Sequence, residues 1–425
     1  MEAPTGLPIR VGDVLSRPRR LSADDAVTAH EEKSTAAPVF GQDVRALHLL
    51  TALENGGAQR NTIASVRAAR ARGFDDRLAA GDGPLAPSAR ADLGAGFEPL
   101  RRLVRPIRPL GDLLTFFEIL RLLRRLRPRI LHTHSSKAGL LGRLAARVAG
   151  VPLVVHTVHG WPFHPYQSSI VRWIYIFLER TVADRTDALV CVARTDMEKG
   201  LAERIGRRDQ YRLVRSGVDF APLESVRARR KEIRASVREA LGVPATAEVV
   251  LTVANLKPQK DPLTWARVAL RVTAARPATW FLFVGDGELR AEVERILVAA
   301  GPAARPRIRL LSWRDDVAEL LAASDLFFLP SRHEGLPRAL VEASRLEVPA
   351  VASGVDGIVE IVRDGRSGLL RAPGDEAGFA RAISEVLDRP DRGAEFARDA
   401  RARTEGFSQE RMSDDLFALY DRLLR

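Results

Sequence analysis

The chain has 425 residues, of which 46% are hydrophobic, and its 66 lysines and arginines outnumber its 54 acidic residues to give a formal net charge of +12. This composition excludes a wholly disordered chain, and the length suggests two or three packed domains. The single cysteine, Cys191, excludes an internal disulfide and fits a reducing compartment.

No apolar run reaches the roughly 18 to 20 uninterrupted residues that a membrane-spanning helix needs. Residues 1–42 are polar and have no apolar h-region, so we predict a disordered leader there rather than a secretory signal. We expect a cytoplasmic protein. Its positive charge leaves nucleic acid, an anionic membrane surface and anionic substrates as classes of partner to consider.

From residue 44 onward, short apolar runs alternate with longer stretches of helical period. The runs are rich in valine and leucine instead of alternating with polar residues, which is typical of parallel strands buried on both faces. Repetition of strand, helix and strand predicts doubly wound α/β domains. The predicted strands are 44–50, 129–134, 152–158, 187–193, 249–254, 280–285, 307–312, 325–330 and 349–354.

The strand series pauses once, at a charged helical stretch over residues 221–244. We therefore predict two Rossmann-like domains, residues 43–220 and 245–405, joined by this linker helix region. The amphipathic stretch 406–425 is expected to pack back on the first domain. Ligands of open α/β sheets bind beyond the carboxyl ends of the strands, so we expect the site in a cleft between the domains.

Two loops of the first domain carry candidate ligand-binding residues. "ENGGAQRNT" places Gly56 and Gly57 before a helix, where backbone N–H groups can approach a ligand closely. "HTHSSKAG" places His134 and Lys137 at the start of the next helix. Its paired histidines suggest a metal, but no Asp, Glu or Cys lies nearby at ligand-like spacing.

Other strand-end loops carry a histidine and several cations. "HTVHGWPFHP" places His159 at a strand end, followed by aromatics such as Trp161 in a loop too polar for a core. "VANLKPQKDP" places Lys257 and Lys260 before a helix, where an ammonium can meet a diphosphate, and "LSWRDD" places Arg314 after a strand. Because no Asp-x-Asp motif is present, lysines and helix N-termini would have to neutralise a bound diphosphate.

In "SRHEGLPRALVEA", Glu334 stands beside a glycine, Glu342 follows eight positions later, and Pro337 between them predicts a helix start. A helix start attracts anions, so two carboxylates there do not suit a bare phosphate. They suit a nucleotide sugar, whose sugar and ribose hydroxyls can donate hydrogen bonds to them. The alternative is an ordinary surface acid followed by a solvated helix glutamate.

Six motifs follow one another at predicted strand ends: "GGA", "HG", "NLKPQKD", "VGDGELR", residues 312–343 and "GVDGIVEIVRDGRSGLL". Together they resemble the retaining glycosyltransferases of family 4, from about residue 44 to the C-terminus. This family has the GT-B architecture, an α/β fold of two Rossmann-like, doubly wound parallel-sheet domains facing a cleft. The resemblance implies a metal-independent transferase that uses a nucleotide diphosphate sugar and no cofactor, in bacterial cell-surface polysaccharide or glycolipid synthesis.

The resemblance also assigns roles to single residues. It places Glu334 by the donor sugar, Glu342 on the ribose hydroxyls and Lys260 on the diphosphate. An arginine of the family is replaced by Asn255, so Lys257 or another basic residue is expected to supply that charge. The implied catalytic residues are His159 and Glu334; the donor-binding set is Gly57, Asn255, Lys260, Arg314, Gly335, Leu336, Pro337 and Glu342; the acceptor side has Gly56, His134, Lys137 and Trp161; no residue is assigned to a metal.

For the reaction, Lys260 and the helix near Pro337 are expected to stabilise charge on the leaving phosphate. Glu334 and the loop around His159 would stabilise an oxocarbenium-like sugar. Since no side chain is placed as a covalent nucleophile, we expect a same-face displacement assisted by the leaving phosphate.

Residues 101–129 contain nine arginines and two acids beside an apolar face. This pattern fits either a helix packed on its sheet with a solvated basic face, or contact with anionic lipid at the inner face of a membrane. The second interpretation suits a lipid-linked acceptor.

Two other functions are compatible with this architecture. One is a sugar-nucleotide epimerase, since a fold alone does not fix function. The other is a non-catalytic partner subunit that binds a nucleotide sugar or a membrane. Nucleic-acid binding is disfavoured, because the positive charge is spread and no module of basic and aromatic residues appears.

Overall fold

The structure is a computed structural model that describes residues 44–301 and 306–425. The leader predicted over residues 1–42 lies outside this described part of the chain.

The first domain is a seven-stranded sheet with helices on both faces. Its strands are β1 Ala46–Leu50, β2 Asp76–Ala80, β3 Phe97–Pro99, β4 Ile130–His134, β5 Leu153–Val158, β6 Ala188–Cys191 and β7 Tyr211–Leu213. All pairs are parallel, in the order β3-β2-β1-β4-β5-β6-β7. Its helices are α1 Gly57–Ala71, α2 Ala86–Leu93, α3 Pro109–Leu126, α4 Ser136–Ala149, α5 Ser169–Ala183 and α6 Arg194–Ala202.

The segment predicted as a linker forms two helices, α7 Phe220–Ala228 and α8 Arg230–Ala240. Helix α8 packs on the second domain instead of bridging freely. Its Arg238, which is 3% exposed, donates to the carbonyls of Ala247 and Ala323 and to the carboxylate of Asp325. These bonds explain how a charged sequence can join a packed body: its arginines reach backbone carbonyls that would otherwise lack partners.

The second domain is a six-stranded parallel sheet. Its strands are β8 Glu248–Val253, β9 Thr279–Val284, β10 Ile308–Leu311, β11 Leu326–Leu329, β12 Ala350–Ser353 and β13 Leu369–Arg371, in the order β10-β9-β8-β11-β12-β13. Its helices are α9 Pro262–Ala275, α10 Arg290–Ala299, α11 Val317–Ala322, α12 Arg338–Arg345, α13 Ile358–Ile361, α14 Glu376–Asp388 and α15 Pro390–Arg403.

The last helix, α16 Gln409–Leu424, returns to the first domain. Its Leu416 and Tyr420 pack into the cluster formed by Ala46 and Ile130 on one face of the first sheet. The return passes directly beside the outgoing chain, because the segments around Val218 and Ser408 form a parallel bridge. The chain therefore crosses between the domains twice at nearly one point.

The predicted pair of doubly wound α/β domains is confirmed. Each predicted strand range overlaps an observed strand, and β2, β3, β7 and β13 were not predicted. Strand β2, "DRLAA", begins with two charged residues and ends in alanines, while β3, β7 and β13 have three residues each, so none produces a clear apolar run. Helix α12 begins one residue later than predicted, with Pro337 at the N-cap position.

Candidate functional site

Two adjoining cavities lie between the carboxyl ends of the two sheets. The wide cavity has a volume of about 730 Å³ and the narrow cavity about 480 Å³. His159, after β5, and Glu334, after β11, border both of them. A ligand in one cavity would therefore meet a ligand in the other at these two residues. The other residues that border both are Asn55, Gly56, Gln59, Asn255 and Gln259.

Glu334 is held by a lysine and a serine at this junction. The Nζ of Lys260 donates to both carboxylate oxygens of Glu334, at 2.5 and 2.7 Å, and the Ser331 hydroxyl donates at 2.6 Å. The backbone N–H of Glu334 donates to Asp356 at 2.8 Å. Glu334 is only 5% exposed, and a buried charge needs such partners. The resemblance gave Lys260 and Glu334 different parts of the ligand, whereas here they also bind each other.

The narrow cavity is bordered by the start of α12. Gly335, Leu336 and Pro337 line it, as does Glu342 one helical turn further on. Pro337 provides no side-chain cap for the helix. Since the first N–H groups of a helix attract anions, this wall can receive phosphate oxygens, while the carboxylate of Glu342 can accept hydrogen bonds from hydroxyls.

Four basic side chains border the narrow cavity: Arg60, Lys260, Arg314 and Arg338. Arg338 donates to the side chain of Asn61 on α1, which links the two domains, and burial lowers its pKa. Nothing in the sequence indicates a role for the side chain of Arg338.

Arg314 donates to both carboxylate oxygens of Asp316, at 2.7 and 2.5 Å. Asp316 occupies the N-cap position of α11, but its side chain makes no capping hydrogen bond. Its carboxylate pairs with Arg314 instead of capping the helix.

Asn255 borders both cavities, but the nearby Lys257 borders only the wide one. The Nζ of Lys257 contacts the carboxylate of Glu54 across the cleft at 3.1 Å. Lys257 therefore does not bring to the narrow cavity the charge expected from the family's arginine. Arg338 and Arg60 are the other basic residues available there.

Glycines allow the cleft walls to touch beside His159. A Cβ at Gly335 would lie 2.5 Å from the carbonyl oxygen of His159, and a Cβ at Gly160, whose φ is +102°, would lie 3.2 Å from the nitrogen of Gly335. Gly57 is also close to the opposite wall, because its Cβ would lie 3.1 Å from Cδ of Arg338. Gly57 borders the narrow cavity and Gly56 borders both.

His159 is neutral at physiological pH, since burial lowers its pKa to about 4. Its Nε2 lies 3.1 Å from Nδ1 of His134, which leaves Nδ1 of His159 for a ligand. His134, expected on the acceptor side, borders neither the wide nor the narrow cavity. It lies behind His159 and is only 4% exposed, because it belongs to β4 and not to the loop that follows it.

Lys137 borders the wide cavity, but its ammonium group is fully engaged. Its Nζ donates to the carbonyls of Val104 and Pro106, at 2.9 and 2.6 Å, and to Asp112 at 2.5 Å. An ammonium has three N–H donors, so these contacts use them all. Lys137 braces the start of α3 against α4 in this structure.

Trp161 also borders the wide cavity, but it is a core residue. It is 6% exposed, stacks on Phe163 at a ring distance of 5.4 Å, and donates to the carbonyl of Asp196 at 2.7 Å. The expectation that this loop is too polar for a core is wrong. Its aromatic rings join the cluster that contains Val158 and Cys191.

Asp196 is a residue of the wide cavity that sequence analysis missed. It is 1% exposed, its Oδ2 has no hydrogen-bond partner, and burial raises its pKa to about 8. In the sequence it is an ordinary acid in the first turn of α6. Asp356 and Ser331 were missed for the same reason, since only the fold brings them to Glu334.

Apolar side chains are exposed beside the wide cavity. Ile107, which borders it, is 76% exposed, and Leu110 on α3 and Trp173 on α5 are 80% and 61% exposed. Helix α4 contacts both α3 and α5 and also exposes Val148. Within the described residues, no helix is long and apolar enough to cross a membrane. The other exposed apolar residues on α3, α4 and α5 are Leu113, Leu114, Phe117, Leu144, Ile170, Val171, Ile174 and Phe177.

Two family descriptions match the chain, one in each domain. "Glycosyl transferase 4-like domain" matches residues 56–217, and "Glycosyl transferases group 1" matches residues 247–389. Among curated relatives, the UDP-Gal:alpha-D-GlcNAc-diphosphoundecaprenol alpha-1,3-galactosyltransferase of Escherichia coli is 33% identical over 362 residues, covering 84% of this chain and 90% of the relative. The D-inositol 3-phosphate glycosyltransferase of Salinispora arenicola is 32% identical, covering 68% of each chain.

Solved structures share the fold at lower identity. HepE of Anabaena, in complex with UDP and glucose, superposes with a TM-score of 0.74 at 20% identity, covering 89% of this chain and 99% of that one. WaaG, a glycosyltransferase involved in lipopolysaccharide biosynthesis, gives a TM-score of 0.69 at 17% identity, covering 89% and 99%. These neighbours confirm the predicted GT-B architecture.

Proposed function

The chain belongs to the group 1, family 4 glycosyltransferases, and we propose that it transfers a sugar from a nucleotide diphosphate sugar in the narrow cavity to an acceptor hydroxyl in the wide cavity. The observation that carries this proposal is the position of His159 and Glu334, which border both cavities. A reacting carbon held near both residues would lie within reach of the donor's phosphate and of the acceptor hydroxyl.

The narrow cavity suits the chemistry of a nucleotide diphosphate sugar. The start of α12 and the cations Lys260, Arg60 and Arg338 offer positive charge to a diphosphate. Glu342 offers a carboxylate to ribose hydroxyls, and Glu334 offers one to the sugar. This division of charge supports a ligand with both anionic and polyol parts.

We infer that the configuration of the sugar is retained through a same-face displacement. Glu334 is already bound by Lys260 and Ser331, which makes its carboxylate a weak nucleophile and a stable partner for positive charge on the sugar. The ammonium of Lys260 can contact both Glu334 and the leaving phosphate. As negative charge develops on the phosphate, the ammonium can stabilise it, while the carboxylate of Glu334 stabilises the positive charge that develops on the sugar. A glycosyl adduct trapped on a side chain would contradict this mechanism.

Charge neutralisation by lysine, arginines and a helix N-terminus supports a reaction that needs no metal. We expect turnover to be unchanged by a chelator such as EDTA and to gain nothing from added Mg²⁺ or Mn²⁺. Loss of activity in EDTA that returns with one cation would contradict this part of the proposal.

The acceptor is proposed to be a lipid-linked sugar in the synthesis of a bacterial cell-surface glycan. The relative from Escherichia coli carries diphosphoundecaprenol in its name. In this chain, the exposed apolar surface of α3 and α5 adjoins the wide cavity, and exposed arginines such as Arg101 and Arg108 flank it. This combination supports peripheral contact with an anionic membrane while the acceptor's sugar enters the wide cavity.

The function is tested by incubating the purified chain with UDP-galactose, UDP-glucose or GDP-mannose and a synthetic GlcNAc-diphospholipid. We expect one donor to yield a new disaccharide lipid, with its α-linkage visible by NMR. Lys260→Ala and Glu342→Ala variants should lose donor binding in thermal-shift assays. A protein that epimerises or merely binds the donors, without transfer, would contradict the proposal.

A further inference from the structure

A row of hydrogen-bonded imidazoles runs from the cleft into the first domain, between its sheet and α16. His159 Nε2 lies 3.1 Å from His134 Nδ1, and His134 Nε2 lies 3.1 Å from His48 Nδ1. His48 and His134 are 0% and 4% exposed. The row therefore connects a residue on the cavity wall to groups deep in the core.

The inner end of the row faces an acidic group. His48 Nε2 lies 3.9 Å from Asp76 Oδ2 and 3.3 Å from the hydroxyl of Tyr420. Burial raises the pKa of Asp76, but Arg45 donates to both of its oxygens, at 2.8 Å each, and this pairing favours the carboxylate. The Asp76 carboxylate is beyond hydrogen-bond distance, but its negative charge favours an N–H on the nearer ring nitrogen, so we assign the hydrogen of His48 to Nε2.

Tyr420 supports the same assignment through a second histidine. Its hydroxyl lies 2.5 Å from His132 Nδ1, and His132 Nε2 lies 2.6 Å from the hydroxyl of Thr157. Burial raises the pKa of Tyr420, so the hydroxyl keeps its single hydrogen. If that hydrogen is donated over the short contact to His132, the oxygen of Tyr420 is left to accept from His48.

The tautomer of His48 fixes the direction of hydrogen-bond donation along the whole row. Burial lowers the pKa of His48 to about 3 and that of His134 well below its usual value, so each ring is neutral, with one N–H and one lone pair. His48 Nδ1 then accepts from Nε2–H of His134, whose Nδ1 accepts from Nε2–H of His159. The result is a bare Nδ1 on His159 at the cavity wall.

We propose that His48 and His134, directed by Asp76 and Tyr420, are positioning residues that fix His159 as its Nε2–H tautomer, so that Nδ1 of His159 accepts a hydrogen bond from a hydroxyl of the donor sugar. The choice of a hydroxyl as ligand rests on the proposed function. A histidine free to exchange tautomers would present an N–H there part of the time, and an N–H cannot accept.

A metal site is the competing interpretation of this cluster. Ligand atoms of His48, His132 and His134 lie within 4.8 Å of one another, the only such group of three in the described residues. However, all six of their ring nitrogens already have hydrogen-bond partners, and the cluster lies beside the guanidinium of Arg45. A cation would have to displace these bonds next to a positive charge.

The tautomers can be read directly from long-range ¹H–¹⁵N spectra of the full chain labelled at its eight histidines. Single His→Gln variants assign the signals. At pH 7.5 we expect His159, His134 and His48 each to carry the hydrogen on Nε2. Protonation of Nδ1 in His159, or rapid exchange between its tautomers, would overturn the proposal.

A matched pair of variants tests the consequence for turnover. His48→Leu removes the acceptor for His134, whereas His156→Leu removes a histidine that is equally buried, on β5, where its Nδ1 contacts Thr133 at 2.8 Å outside the row. We expect mixed tautomers at His159 and a loss of kcat of about tenfold or more only in His48→Leu.

A set of monodeoxy UDP-galactose analogues separates positioning from general damage. One analogue lacks the hydroxyl that His159 contacts. With it, wild type and His48→Leu should have similar kcat/KM values, because the tautomer of His159 no longer affects a hydrogen bond to the donor. Equal losses for every analogue, or equal losses in His48→Leu and His156→Leu, would overturn the proposal.

The proposal and the function on which it rests fail separately. If no nucleotide sugar is turned over but the spectra show Nε2–H at His159, the proposed function is wrong and the row's direction stands. If transfer occurs while His159 carries its hydrogen on Nδ1, only the present inference is wrong. Added Zn²⁺ that shifts the signals of His48, His132 and His134 and raises the Tm would also overturn it.

Discussion

Glu334 borders both cavities, and its carboxylate is bound by Lys260. The substitution Glu334→Gln keeps the shape of the side chain but removes the charge that contacts Lys260 and that we propose faces the sugar. We expect kcat to fall about 100-fold or more, as for removal of an electrostatic stabiliser. Binding of UDP, measured by calorimetry, should be kept, because Lys260 is released toward the diphosphate.

Glu292→Gln is the control, at a glutamate on α10 whose side chain is 45% exposed and which borders neither cavity, and it should leave both quantities unchanged. Wild-type turnover in Glu334→Gln, or loss of UDP binding together with turnover, would contradict the assignment of Glu334 to the sugar.

Gly335 is the residue at which the cleft walls touch. In Gly335→Ala, the new methyl group would lie 2.5 Å from the carbonyl oxygen of His159, so the loops must separate. We expect kcat/KM to fall about tenfold or more, because small displacements of reacting groups are costly. The Tm should change little, since the loops can move apart without opening a core.

Gly406→Ala provides a comparison, because a Cβ there meets no atom within 4 Å. Initial rates and thermal melts of both variants check the prediction. A fully active Gly335→Ala would show that the contact between the walls is not needed for turnover.

Sequence reasoning located residues whose chemistry is visible in a short motif. Glu334 and Lys260 were found because each follows a predicted strand, where open α/β sheets bind their ligands. Asp196 was not found, because its missing partner and raised pKa arise from burial by other loops. The same holds for the pairing of Lys260 with Glu334, which joins residues 74 positions apart.

At the scale of single elements, α3 and α5 combine burial on one side with apolar exposure on the other. Replacing Leu110 and Trp173 together by glutamine removes two apolar anchors, each worth about 1.5 to 3 kcal/mol when fully buried. We expect co-sedimentation with anionic vesicles to fall at least about tenfold. Transfer to a short, water-soluble acceptor should be retained.

Val298→Gln, an exposed apolar residue on α10 of the other domain, is the control. Binding that is the same for all three proteins, or the same on neutral and anionic vesicles, would contradict membrane contact through α3 and α5.

Element prediction succeeded where burial on both faces makes a strand uniformly apolar, as in β9 and β11. It was less informative for α8, whose charged sequence gave no indication that Arg238 is buried. That burial depends on acceptors at Ala247, Ala323 and Asp325, which lie just outside β8, α11 and β11 and which no local pattern reports. For α3, the sequence left two interpretations open, and the exposed leucines of the fold favour membrane contact.

At the scale of the whole molecule, buried histidines should make the fold sensitive to acid. Burial lowers the pKa of His48, His132, His134, His156 and His159, whereas in the unfolded chain each is about 6.5. Below that pH the unfolded chain binds protons that the folded chain does not. Each histidine should therefore lower the free energy of unfolding by roughly 1 kcal/mol per pH unit as the pH falls from about 6.5 toward 4.

Asp196 acts in the opposite direction, because its pKa is raised to about 8 and its folded form keeps a proton that the unfolded form releases. One such group does not offset five histidines. Urea unfolding at pH 7.5 and 5.5 should show a clear decrease in stability, and His156→Gln should lessen the slope with pH. A midpoint independent of pH over this range would contradict the prediction.

The number and type of domains followed from the sequence, since period and composition repeat along the chain. How the domains face each other did not, because it depends on contacts between distant loops, such as Arg338 with Asn61 and Gly335 with His159. The volume and division of the cleft are set by these contacts.

The paired crossing at Val218 and Ser408 gives the molecule a pivot. Val218 donates to the carbonyl of Phe407 at 2.9 Å and accepts from Gln409 at 3.0 Å, so the two crossings cannot slide past one another. We expect any opening of the cleft to turn about this point. The narrow cavity is bordered by Val218 itself, whereas the wide cavity is not. The wall of the narrow cavity therefore includes this crossing and that of the wide cavity does not, so we expect domain opening to widen the wide cavity more than the narrow one.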